Sequence, residues 1–92
     1  MAPELLRGRA ADRRSDVWAL GVLLHEMVTG RRPFTGATRY ELAAAILGDP
    51  VAPLARELPA ELRRIVTRCL MKNPADRYQS AREVAAALDD LV

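Results

Sequence analysis

The apolar residues of this chain fall into four blocks, separated by glycine, proline and charge. Residues 1–15, with Pro3, Gly8 and scattered charge, read as loop with one helical turn near Pro3 to Leu6. Ser15 then stands before a dense apolar stretch, and serine is a favoured helix N-cap. A helix is expected over 16–29, with Asp16 in the first turn, where the helix dipole favours a carboxylate, and Gly30 as the left-handed stop. Its apolar positions are Val17, Trp18, Ala19, Leu20, Val22, Leu23, Leu24, Met27 and Val28, and they cover almost the whole circumference. A helix apolar all round belongs at the centre of a protein, surrounded by other elements.

A turn follows over 31–37, containing Pro33, Phe34 and Gly36. Thr38 and Glu41 have the spacing of a capping box, so a second helix is expected from there to about Leu47, ended by Gly48-Asp49-Pro50. Residues 48–58 read as an irregular connection. Pro59 suits the first turn of a third helix. Leu62, Ile65, Val66, Cys69 and Leu70 recur at helical spacing on one stripe, with Arg63, Arg64, Thr67 and Arg68 outside it. Asn73-Pro74 stops that helix. Ser80 and Glu83 form a second capping box before a last helix, whose buried face is expected to be Val84, Ala85, Leu88 and Leu91. No segment alternates like a strand, so the fold class is all-α with four main helices.

Composition narrows the picture. At 92 residues the chain has room for one thin domain at most. Cys69 is the single cysteine, which excludes an internal disulfide and is most simply a small core residue. The longest mainly apolar run, Val17 to Leu24, is too short to cross a bilayer, and the first residues lack the basic and apolar segments of a signal peptide. The formal net charge is +2, with the excess around Arg7, Arg9, Arg13 and Arg14. Without stacking aromatics on a basic face or a nucleic-acid-binding motif, nucleic acid is not an expected partner.

Catalytic constellations are scarce. His25-Glu26 begins like the H-E-x-x-H zinc motif, but Thr29 stands where the second histidine belongs. A Cys69–His25 nucleophile pair is the competing reading of those residues, against ordinary packing roles for both. No G-x-x-x-x-G-K-[ST] or G-x-G-x-x-G run is present, so no loop is built to cradle a phosphate. Neither a catalytic, nor a cofactor-binding, nor a metal-binding residue is expected in this chain.

Three motifs gain weight together: Ala2-Pro3-Glu4; Asp16-Val17-Trp18-Ala19-Leu20-Gly21, followed by Gly30, Pro33 and Phe34; and Arg68-Cys69-Leu70 with Asn73-Pro74 and Asp76-Arg77-Tyr78. In this order and at these separations they resemble the C-terminal part of a protein kinase domain, for which A-P-E is one signature. The resemblance covers essentially the whole chain. The segment from Cys69 to Tyr78 looks like the serine/threonine branch, and the overall texture like the bacterial eukaryotic-like (Hanks-type) kinases. It implies one partial domain over 1–92, starting at A-P-E, built of the later helices of the kinase large lobe.

Further expectations come with the resemblance. Glu4 and Arg77 would form the ion pair that anchors the end of the activation segment. Asp16 matches the carboxylate that, in the family, accepts hydrogen bonds from the catalytic loop. Trp18 resembles the packing tryptophan near A-P-E, and Gly21 inside a helix points to a close contact. The family transfers phosphate from ATP, with magnesium, to Ser or Thr of protein substrates. The parts that do so are a Gly-rich loop, a strand lysine, a catalytic Asp with its Asn, and a metal-holding Asp. This sequence has no H-R-D, D-F-G or V-A-I-K-like segment. ATP and magnesium are therefore expected of a full-length domain only. The expected partners are the upstream part of the domain and protein substrates, with a cytoplasmic location, either free or as the cytoplasmic domain of a membrane-anchored kinase. Kinases commonly carry Met before A-P-E, and Met1 occupies that place, which points to a start inside a longer reading frame. The competing reading is a truncated, non-catalytic helical interaction module.

Overall fold

A computed structural model describes residues 1–91. Five α-helices follow in order: α1 (Pro3–Leu6), α2 (Arg13–Thr29), α3 (Arg39–Gly48), α4 (Ala60–Cys69) and α5 (Ala81–Asp89). A 3-10 turn, Pro74–Asp76, links the last two, and no strand occurs among the described residues. The all-α expectation stands, with the single turn near Pro3 realised as α1.

The start of α2 differs from expectation. Asp12, not Ser15, is the N-cap: its carboxylate accepts from the Arg14 N–H at 2.8 Å. The hydroxyl of Ser15 accepts in return from the Asp12 N–H at 3.3 Å. A carboxylate is the stronger acceptor, so the helix begins three residues earlier than the serine suggested. Gly30 closes it at φ 71°, as expected. Thr38 and Ser80 do cap α3 and α5, accepting from the N–H groups of Glu41 and Glu83. The two glutamates reach one residue further back than in a capping box, to the N–H groups of Ala37 and Gln79.

Two apolar clusters make the interior, and α2 and α4 divide themselves between them. Trp18, Val66 and Leu70 enter one, with Ala2, Phe34, Ala45 and Ile46. Val17, Ile65 and Cys69 enter the other, with Val84. Sequence neighbours on a helix point about 100° apart, so each adjacent pair serves both sides. The stripe predicted for α4 is the buried one. On α5 the prediction holds for Val84 and Leu88, but Ala85 is exposed and Leu91 is at the surface, while Ala87 packs inward.

The central helix is not enclosed. Its face bearing Asp16, Ala19, Leu23 and Met27 is exposed, Leu23 at 53% and Met27 at 71%. The described elements cover the sides carrying Val17, Trp18, Gly21 and His25, with Leu20, Val22 and Leu24 partly buried, and leave Ala19, Leu23 and Met27 in solvent.

Gly21 sets the approach of α2 to α4. A Cβ placed there would lie 2.6 Å from Cys69 Cβ and 3.1 Å from the Leu70 side chain. The half-turn of helix without a side chain is thus required by packing. Gly21→Ala is expected to destabilise the fold by about 1–3 kcal/mol, the usual range for overpacking. Urea unfolding followed by circular dichroism measures this.

Candidate functional site

The residues singled out by their motifs converge where the ends of the chain's helical path meet. Pro3 lies in the first turn of α1, where a missing N–H is harmless. It turns Glu4 inward, and Glu4 is 4% exposed. Arg77, just beyond the 3-10 turn, is fully buried. Its Nη1 donates to Glu4 Oε2 at 2.8 Å and its Nη2 donates to Glu4 Oε1 at 2.8 Å. The pair is the two-pronged fork that guanidinium and carboxylate geometry favour.

The other donors of Arg77 are also engaged. Nε donates to the Met71 carbonyl at 2.7 Å, Nη1 to the Arg14 carbonyl at 2.9 Å, and Nη2 to the Lys72 carbonyl at 3.2 Å. A guanidinium has five N–H groups, and each has an acceptor. Ser15 donates its hydroxyl to Glu4 Oε2 at 2.7 Å. Burying a charge is tolerable only with this completeness. The Arg77 fork and the Ser15 hydroxyl hold the Glu4 carboxyl down at about 2 from an ordinary 4.5, against the opposing push of burial.

Trp18 packs beside this pair, 1% exposed, with Arg77 5.0 Å from its ring centre. Phe34 stacks on it, the rings 5.5 Å apart and inclined by 10°. Lys72 lies 4.3 Å over the Phe34 ring and donates to the Ile46 carbonyl at 2.7 Å. Burial lowers its pKa. Ala2 is buried in the same cluster. Gly21 sits apart, at the α2–α4 contact. Asp16 stands at the N-terminal end of α2 with its side chain in solvent, away from Glu4 and Arg77.

The other chemically active residues are packing groups. Cys69 is fully buried, and desolvation pushes its thiol up to about 11. His25 is 1% exposed, with Nδ1 3.0 Å from the Arg31 carbonyl and Nε2 3.1 Å from the Ala52 carbonyl. Thr29, where a zinc motif would need its second histidine, donates to the His25 carbonyl at 2.7 Å. Histidine thus ties the connection after α3 to the end of α2. The sequence carried a signal for this: His25 falls seven residues after Trp18, on the same inward face. No sequence signal marked Ser15 as a partner of Glu4, or Lys72 as the cover of Phe34.

This arrangement is the buried polar centre of an all-α fold. Residues 1–88 match the protein tyrosine and serine/threonine kinase family. The chain belongs to that family. Its relatives are of the serine/threonine branch. It is 44% identical over 91 residues to the serine/threonine-protein kinase PknB of Mycobacterium tuberculosis, covering 96% of this chain and 14% of that protein. It is 40% identical over 96 residues to a probable serine/threonine-protein kinase of Corynebacterium efficiens, covering 97% and 14%. With PknB of Mycolicibacterium smegmatis the identity is 42% over 91 residues, covering 96% and 15%. The chain thus spans about one seventh of the length of these relatives.

Three outcomes are expected. Arg77→Ala leaves the Glu4 carboxylate buried and unpaired, at a cost of about 3–5 kcal/mol, whereas Arg82→Ala, on an exposed surface, shifts the melting temperature little; equal shifts would exclude a structural role for the pair. Glu4 has a depressed pKa, so its contribution is fully present above pH 4.5 and is lost as pH falls toward about 2. On the order of 3 kcal/mol of stability is at stake. Denaturant melts across that window check this, with Glu4→Gln expected to flatten the profile. Finally, Cys69 is expected to react with a thiol reagent at neutral pH only as fast as the chain unfolds, read by mass spectrometry against denaturant concentration.

Proposed function

We propose that this chain is the C-terminal scaffold of a serine/threonine protein kinase domain, carrying part of its protein-substrate docking surface and none of its phosphoryl-transfer residues. The observation that carries the reading is the buried Glu4–Arg77 fork, which joins A-P-E to the segment before α5. Within that reading Ala2, Pro3, Glu4, Trp18, Gly21 and Arg77 are structural, and Asp16 awaits a catalytic loop supplied from upstream.

The open stripe of α2 supports this. Leu23 and Met27 stand exposed, and burying two such side chains is worth several kcal/mol to whatever covers them. The upstream part of the lobe is the proposed cover. On another side, Met1, Trp18, Val22, Phe34, Leu42 and Ile46 line a hollow of about 210 Å³, with Glu26 and Arg32 at its rim. This hollow and α3 form the proposed substrate-facing side. The resemblance implies phosphorylation of Ser or Thr in protein substrates for a complete domain. No described helix is long and apolar enough to cross a membrane.

The sequence has no Gly-rich loop, H-R-D or D-F-G segment, so ATP and magnesium belong, in this reading, to the upstream part of the domain. Glu4, a buried carboxylate, is held by Arg77 and Ser15. The purified 92-residue chain is therefore expected to incorporate no radiolabelled phosphate into itself or into a general protein substrate, and measurable turnover would overturn the proposal. Co-expression with the upstream segment of a related kinase domain is expected to protect the α2 stripe from hydrogen exchange. An unchanged exchange pattern would favour the stand-alone interaction module, for which the same exposed stripe speaks.

A further inference from the structure

The outer face of α4 is built differently from the rest of the surface. Arg63 and Thr67 lie one turn apart on it, and Arg64 and Arg68 form the adjoining row. With Ala60, Met71 and Asp76 they line a hollow of about 530 Å³. Thr67 also lines two neighbouring hollows, of about 350 and 380 Å³, whose walls include Pro50 and Val51. The arginine-lined hollow thus adjoins an apolar one through Arg63 and Thr67, which line both.

The arginines there have no carboxylate partner. Among the described residues the ion pairs are Arg14–Asp12, Arg32–Glu26 and Arg77–Glu4. The Nε of Arg63 is buried and has no hydrogen-bond acceptor, a condition that native structures rarely leave unanswered. The plane of Arg68 is held 4.3 Å over the Tyr78 ring, which leaves its N–H edge free. Asp76 is the acid in the lining, set against three arginines.

We propose that this groove binds a phosphorylated peptide segment, its phosphoryl group held by Arg63, Arg64 and Arg68 and its adjoining apolar residue seated against Pro50 and Val51. Three arginines lining one hollow match a dianion better than a single carboxylate. Arginine rather than lysine in all three places provides the planar fork that phosphate oxygens accept. The adjoining wall of Pro50 and Val51 offers an extended peptide an apolar seat beside the arginines. The inference stands on the α4 face alone and is independent of whether the chain assists phosphoryl transfer.

The test is fluorescence anisotropy of the 92-residue chain with a labelled peptide library degenerate around a fixed phosphothreonine. The same library with unmodified threonine, inorganic phosphate as competitor, and phosphatidylserine vesicles are the other arms. The phosphorylated library is expected to bind at least tenfold more tightly than the unmodified one, and more weakly as salt rises. Arg64→Gln with Arg68→Gln, both on exposed positions, is expected to weaken binding at least tenfold, and Arg63→Gln likewise. Arg82→Gln is expected to leave it unchanged, with circular dichroism melts of every variant alongside. Equal binding of both libraries, insensitivity to the α4 substitutions, or preference for the vesicles would overturn the proposal.

Discussion

Everything in this small fold leans on one arginine. Arg77 is buried without any exposure, and its five N–H groups meet α1 through Glu4, the beginning of α2 through the Arg14 carbonyl, and the exit of α4 through the Met71 and Lys72 carbonyls. Apolar packing is non-directional and would tolerate several arrangements of short helices. A fully coordinated guanidinium tolerates one. The price in desolvation is met only when all those carbonyls and the carboxylate are in place together, so the centre is a test of correct assembly as much as a source of stability.

The sequence was informative wherever one residue type has one physical use. Gly30 stops α2 because only a residue without Cβ is at ease at φ 71°. The α4 stripe was readable because its polar and apolar positions differ sharply around the helix. Gly21 announced a close contact, and the geometry supplies Cys69 as what it meets. The resemblance brought Glu4 and Arg77 together across a separation that no local pattern spans.

Other features were illegible for equally physical reasons. Asp12 and Ser15 are both good caps, and they share the start of α2 in one reciprocal pair whose two members the sequence did not rank. The open side of α2 could not be read from periodicity, because an all-apolar helix reports what it can bury and not what is there to bury it. On α5, Ala85 and Ala87 are the same residue type on different faces. The α4 arginines read simply as a polar face, and only the folded chain shows that they line a groove shared with the segment after α3.

The span between Glu4 and Arg77 is 73 residues, and this has a consequence for the order of folding. Helix α2 can form from its own cap and stop as soon as it is synthesised, since both are local. Glu4 has no such freedom. It waits, hydrated, until Arg77, 73 residues further on, has been made. Closing so long a loop carries an entropic cost that rises only slowly with length, but it delays the contact and slows the search. The pair is thus a late contact, and until it engages the helices between its two ends keep apolar sides open to other partners.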